Sequence, residues 1–195
     1  ELLHSKTPPI DEMHNWLFIG TDNRIIVTVP CAEMGQGVNT SLAQLVADEL
    51  DADWHTLEIR QAPLNSKFTN AMEMQLTGGS TAVRDYYVTM RKVGAGARSI
   101  IIKAAAAQLG TSVANLSTQD SHVIYQGKAF PYGQFASDAA TWPVPDDVPL
   151  KSDDQLNLIG KSLPQIDTYN RITGKAIYGI DLQVPNMLNA ASSDF

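Results

Sequence analysis

A single cysteine, Cys31, stands in 195 residues. One thiol excludes an internal disulfide framework, and any iron–sulfur cluster or zinc site built from several thiolates of this chain. Cys31 is expected as a small buried hydrophobe. Positive charge is also scarce: 14 Lys and Arg against 21 Asp and Glu leave a net charge of −7. With no basic cluster to neutralise phosphates, a nucleic-acid partner is argued against. No apolar run approaches the roughly 18 residues of a membrane span, and no signal peptide is visible. The sequence opens on Glu1 rather than methionine, so a processed, trimmed or excised chain is expected.

What is present fits a globular protein. Hydrophobic residues make up 44% and charged residues 18%, enough for one sizeable domain or one and a half. Trp16 to Val29 reads as a β-hairpin turning at Gly20-Thr21-Asp22-Asn23. Asn39 or Thr40 then caps a helix running to about Leu50, with Leu42, Leu45, Val46 and Leu50 on one side. Thr56 to Pro63 alternates as a half-buried strand does, and Leu64 to Leu76 reads as a loop. From Ser80 to Leu109 the spacing of Val83, Tyr87, Met90, Ala97, Ile101 and Ala104 predicts one long helix, with Gly94 and Gly96 admitting a close neighbour. A hairpin around Gln126-Gly127 and a short helix within Pro131 to Thr141 follow. Residues 142–154, rich in proline and aspartate, are read as a linker, and Ala176 to Leu182 as a strand.

Two glycine-rich turns carry the chemistry. E-M-G-Q-G-V-N-T-S, Glu33 to Ser41, places Gly35 and Gly37 around Gln36 where a strand gives way to a helix. Glycine lets the main chain approach a ligand closely, and a helix start offers unpaired N–H groups and the positive dipole end. Gln36 adds an amide that both donates and accepts. L-T-G-G-S-T, Leu76 to Thr81, repeats the logic ahead of the long helix, with Thr77, Ser80 or Thr81 as its cap and Arg84 one turn in. Two such starts suit an extended, phosphate-bearing ligand of dinucleotide type. The first turn is neither a P-loop, since no lysine precedes Thr40-Ser41, nor a full nicotinamide fingerprint, since Thr40 replaces the third glycine.

Taken together, E-M-G-Q-G-V-N-T-S-L-A-Q-L-V-A-D-E-L and the later T-G-G-S-T resemble the molybdenum-cofactor-binding part of the xanthine oxidase and aldehyde oxidoreductase family. G-K-S-L-P-Q-I-D-T-Y-N-R-I-T-G-K-A-I-Y-G-I-D resembles the segment that opens another module of the same large subunits. Its position after the E-M-G-Q-G segment is similar to the permuted branch that includes isoquinoline 1-oxidoreductase beta subunits and membrane-bound aldehyde dehydrogenases. The resemblance implies molybdenum held by molybdopterin cytosine dinucleotide, and oxidation of an aldehyde or N-heterocycle with oxygen from water. It also implies an iron–sulfur partner subunit, in some relatives a cytochrome subunit, and contacts with the remaining part of the large subunit. Relatives of the permuted type are periplasmic or membrane-associated, others cytoplasmic. Gly35, Gln36 and Gly37, with Thr77, Gly78, Gly79, Ser80 and Thr81, are the residues that the resemblance assigns to the cofactor; Glu33 and Met34 are assigned to packing.

Departures define the expected limits. The family's G-G-G-F-G stretch, its substrate-pocket arginine segment and its catalytic glutamate motif have no counterpart here, so the chain is expected to be a fragment inactive alone. His4, His14, His55 and His122 show no metal-ligand spacing. Asp146-Asp147 and Asp153-Asp154 lack the pattern of a calcium loop, and Asp48, Glu49, Asp51 and Asp53 read as a solvent-facing rim. The competing reading is a non-catalytic interaction module or a remnant of the fold without cofactor. The expected fold is α+β: a mostly antiparallel sheet with two main helices on one face, then the start of a second module. The expected divisions are residues 1–141, 142–154 and 155–195.

Overall fold

The computed structural model describes residues 15–70, 72–145, 147–188 and 190. The first sheet has the order β1 (Leu17–Ile19), β2 (Ile25–Val29), β3 (Leu57–Gln61). β1 and β2 form the expected antiparallel hairpin, with Leu17 opposite Val27 and Ile19 opposite Ile25. Its turn closes through Asn23 N–H on the Gly20 carbonyl, 2.9 Å, with Asn23 in the left-handed region. β3 pairs parallel to β2, because helix α1 (Val38–Leu50) carries the chain back to the starting edge.

A second antiparallel sheet, β4 (Ser117–Gln119), β5 (His122–Tyr125) and β6 (Lys128–Pro131), follows the long helix. One sheet was expected and two are found, because the tight turns at Asp120-Ser121 and Gln126-Gly127 pair these three strands with one another rather than with the first sheet. All four turn residues have positive φ, the pattern of two-residue type I′ turns. Ser121 N–H on the Asp51 carbonyl, 2.8 Å, and the Tyr132 hydroxyl on the Leu50 carbonyl, 2.8 Å, fix this sheet to the end of α1. Helix α3 (Gly133–Ala139) buries Phe135, Ala136 and Ala139. Gly133 touches the β1–β2 turn so closely that a Cβ would meet the Gly20 and Thr21 carbonyl oxygens at 2.7 Å.

The core lies between the first sheet and two helices, α1 and α2 (Ala82–Leu109), with α1 on β2 and β3 and α2 on β1. Leu42, Leu45, Val46 and Leu50 are all buried, as their spacing predicts. On α2 the buried stripe is shifted from expectation. Val83 is exposed and Tyr86, not Tyr87, is the buried tyrosine. No residue of α2 before Tyr86 is buried, so the stripe begins there. Gly94 is where the helices touch: a Cβ there would stand 2.4 Å from the Val46 carbonyl oxygen and 2.9 Å from Glu49 Cβ. Gly96 faces the Val144 side chain instead. Gly110, at φ 62, ends α2.

The four acidic residues after Val46 correct the expectation of a solvent-facing rim. Asp48 and Glu49 are buried. Glu49 pairs with Arg91 at 2.7 Å and Arg98 at 3.9 Å, Asp51 pairs with Arg98 at 3.2 Å, and Lys151 meets Asp48 and Asp51. Backbone N–H groups of Asn157, Leu158 and Ile159 donate to Asp48, and that of Lys151 to Glu49. Burial opposes the charge on Arg91, but the hydrogen bond and charge of Glu49, together with Tyr87, outweigh it and raise its pKa. Three cations on other segments supply what composition alone hides, a local neutralisation that offsets the cost of burial. Residues up to Leu163 form one unit and Pro164 onward a second.

In that second unit helix α4 (Thr168–Ile172) and a single turn at Gly179–Asp181 are the regular elements among the described residues. The strand expected over Ala176 to Leu182 is not formed. A strand needs a ladder partner for its N–H and C=O groups, and Ile177, Ile180 and Leu182 lie exposed.

Gly94→Ala tests the helix contact. Helix propensity alone would gain about 1 kcal/mol, whereas the clash with the Val46 carbonyl is expected to cost about 1–3 kcal/mol in urea denaturation. Gly96→Ala, which meets only the movable Val144 methyl, is expected to lose less.

Candidate functional site

The two glycine turns lie side by side. Met34, Gln36, Val38 and Ser41 face Thr77, Gly78, Gly79, Ser80, Thr81, Ala82 and Val83 across a cleft of ≈ 460 Å³. The arrangement follows from α1 and α2 beginning at the same end of their shared packing. A direct tie completes it: Ala32 N–H donates to Thr77 Oγ1 at 2.8 Å. Cys31, fully buried as expected, sits beside the Leu76 carbonyl; burial pushes its thiol pKa up, against the hydrogen bond with Thr77.

The two corners differ in what their amides do. In the first, Glu33 Oε1 accepts from Gly35 N–H at 2.8 Å and Gly37 N–H at 3.0 Å, and Oε2 from Asn39 N–H at 3.0 Å. Gly35 and Gly37 take φ of 98° and 79°, conformations that side chains rarely adopt. Gly37 is the N-cap of α1 and has no side chain to cap with, so Asn39 and Thr40, expected as caps, lie inside the helix. The Gln36 amide is turned back onto its own loop, donating to the Ala32 carbonyl at 2.8 Å and accepting from Met34 N–H at 2.5 Å.

In the second corner Thr81 N–H closes on the Gly78 carbonyl at 3.3 Å, with Gly79 and Ser80 both left-handed between them. Thr81 occupies the N-cap of α2, but its hydroxyl donates to the Gly78 carbonyl rather than accepting from the helix. The N–H groups of Gly79, Ser80, Ala82 and Val83 have no acceptor among the described residues. Arg84 is exposed and its guanidinium lies 3.4 Å from Asp85 Oδ1. No group of three or more His, Cys, Asp or Glu able to hold a metal exists among the described residues. His55 is exposed and His122 Nδ1 contacts the Asp120 carbonyl, while His4, His14 and Asp146 lie outside the described residues. Glu33 is the residue whose contacts sequence reading understated. Its spacing of two, four and six residues to amides at a cap lacking a side chain was the available signal.

Comparisons with known proteins bear on the family of the chain. A family model described as the molybdopterin cofactor-binding domain matches residues 6–176. The beta subunit of an isoquinoline 1-oxidoreductase from Brevundimonas diminuta is 30% identical, over 90% of this chain and 27% of its own length. A membrane-bound aldehyde dehydrogenase (pyrroloquinoline-quinone) of Gluconacetobacter polyoxogenes is 34% identical, over 89% of this chain and 23% of its own length. A nicotinate dehydrogenase subunit of Pseudomonas putida is 31% identical, over 94% of this chain and 15% of its own length. The chain therefore spans about a quarter or less of the length of these relatives.

Beneath the loop that leads to the second corner, Tyr86 donates its hydroxyl to the Phe68 carbonyl at 2.8 Å, and Trp16 stacks edge-on against Phe68. Burial, with the nearby Cys31 and Asp85, pushes the Tyr86 pKa up to about 12. The fold thus favours the neutral phenol. Its contribution is complete below the ordinary value of 10.0 and is lost as pH rises through about 12. Burial raises the pKa of Tyr132 further still, so ultraviolet titration is expected to show two late tyrosines, with stability falling as Tyr86 ionises, and Tyr86→Phe is expected to remove the earlier of the two late steps.

Proposed function

The chain belongs to the molybdopterin cofactor-binding domain family, and from that premise we propose that its cleft receives the dinucleotide arm of molybdopterin cytosine dinucleotide. Gln36 stands in one wall, on a turn shaped by Gly35 and Gly37, which do not line the cleft themselves, and Thr77, Gly78, Gly79, Ser80 and Thr81 stand in the other. The observation that carries this reading is the row of amides at Gly79, Ser80, Ala82 and Val83 without acceptors among the described residues, opening on a cleft whose other side is apolar at Met34 and Val38. Unpaired N–H groups at a helix start suit a phosphate, whose charge the dipole favours. The Ser80 hydroxyl adds a rotatable donor beside them. Met34, exposed and flexible, suits the face of a flat ring.

When bound, the group supplies two-electron redox chemistry that hydroxylates an aldehyde or N-heterocycle with oxygen from water. This chain's part is to hold and orient it. Gly78 and Gly79 keep side chains out of the approach, since a Cβ at Gly78 would meet nothing closer than Leu76 at 3.9 Å. In this reading the oxidation belongs to the longer subunit, with an iron–sulfur subunit and, in some relatives, a cytochrome subunit taking the electrons. Residues 155–195 open its next module, and the exposed Ile177, Ile180 and Leu188 are supports for that assignment.

The test is elemental and nucleotide analysis of the full-length subunit purified with its partners. About one molybdenum per subunit and release of a cytidine nucleotide are expected. Gly79→Val, which obstructs two or three amide contacts of about 1 kcal/mol each, is expected to lower molybdenum content at least about tenfold. A folded subunit that carries neither metal nor nucleotide would instead favour the interaction-module reading.

A further inference from the structure

Glu33 lies outside the residues assigned to the cofactor and does not line the cleft, yet its carboxylate holds the corner that does. Its two carboxylate oxygens take three free amides of the first corner, those of Gly35, Gly37 and Asn39. Asn39 is the second residue of α1, so a side chain six positions upstream does the work of a cap that Gly37 cannot perform. The side chain is only part-exposed, and its contacts hold both glycines at their positive φ.

We infer that Glu33 is a built-in anion that determines which end of the cleft accepts a charged group. A helix N-terminus carries about half a positive charge, and a carboxylate bonded to its amides cancels that attraction. A phosphate approaching this corner meets occupied donors and a like charge. The first corner therefore faces a ligand as a polar but non-cationic wall, formed by the folded-back Gln36 amide and the Met34 side chain. At the second corner no carboxylate is bonded to the free amides among the described residues; Asp85, in the first turn of α2, is instead engaged by the Asn70 and Arg84 side chains. An elongated ligand with one charged end consequently has one permitted orientation, with that end away from Glu33. The identity of the ligand rests on the cofactor reading, but the role of Glu33 stands on the geometry of the corner.

Amide-resolved NMR of this chain, with inorganic pyrophosphate as the probe, tests the inference without any cofactor. In the unsubstituted chain, pyrophosphate is expected to leave the Gly35, Gly37 and Asn39 resonances in place. In Glu33→Ala, the three resonances are expected to move upfield together, and pyrophosphate then to perturb them, with affinity at that corner raised at least about tenfold. Glu33→Gln retains an acceptor for Gly35 and Gly37 but replaces Oε2 with a donor, so Asn39 alone is expected to move. This second variant keeps the test open should Glu33→Ala not fold. Pyrophosphate shifting the three amides in the unsubstituted chain would overturn the inference, as would an Asn39 resonance indifferent to Glu33→Gln. Absence of molybdenum from the full-length subunit would overturn the cofactor reading and leave these outcomes unchanged.

Discussion

The approach of the α1 backbone to Gly94 of α2 is the constraint from which the rest of the structure follows. Because no side chain separates Gly94 from the Val46 carbonyl, the two helices lie close enough to start at the same end. Each is preceded by a glycine turn, so close packing brings both turns to one cleft. The Ala32–Thr77 hydrogen bond then holds the two loops in register where the helices themselves no longer touch.

Deeper along the same interface, the balance of charge takes over from packing. Glu49 is fully buried and would be costly alone, but Arg91 and Arg98 bring the neutralising charge, and the Lys151 backbone N–H and Arg91 donate directly to it, while the Lys151 ammonium serves Asp48 and Asp51. Breaking such a set by removing one partner typically costs about 3–5 kcal/mol, because the others stay buried and unpaired. Asp48 extends the network by accepting three successive N–H groups of residues 157–159. The segment beyond the proline- and aspartate-rich stretch is thereby fastened to the end of α1 opposite the cleft. One interface thus does two jobs, placing the site at its near end and anchoring the outgoing chain at its far end.

Much of this is legible in the residues and some is not. The β1–β2 hairpin, both main helices and the Gln126-Gly127 hairpin follow from local periodicity and turn chemistry, which act over a few neighbours. The glycines of α2 mark a close-contact site in the sequence, and at Gly94 the contact is a helix. The parallel pairing of β3, the separate second sheet and the burial of Asp48 and Glu49 depend on partners far along the chain, which periodicity does not encode. The strand expected at Ala176 to Leu182 fails for the complementary reason: its β-prone side chains are present, but a ladder partner among the described residues is not. At the cleft, the glycine motifs mark the location. What they do not reveal is that a carboxylate of the same motif commits its acceptors to the first corner.

The two corners are therefore alike in sequence and opposite in state, one filled by Glu33 and one open at Gly79, Ser80, Ala82 and Val83 among the described residues. NMR-detected hydrogen exchange on the chain without cofactor measures this asymmetry directly. Slow exchange at Gly35, Gly37 and Asn39 together with fast exchange at Gly79, Ser80, Ala82 and Val83 is the result this account predicts. Fast exchange at the first set, or slow exchange at the second, would contradict it.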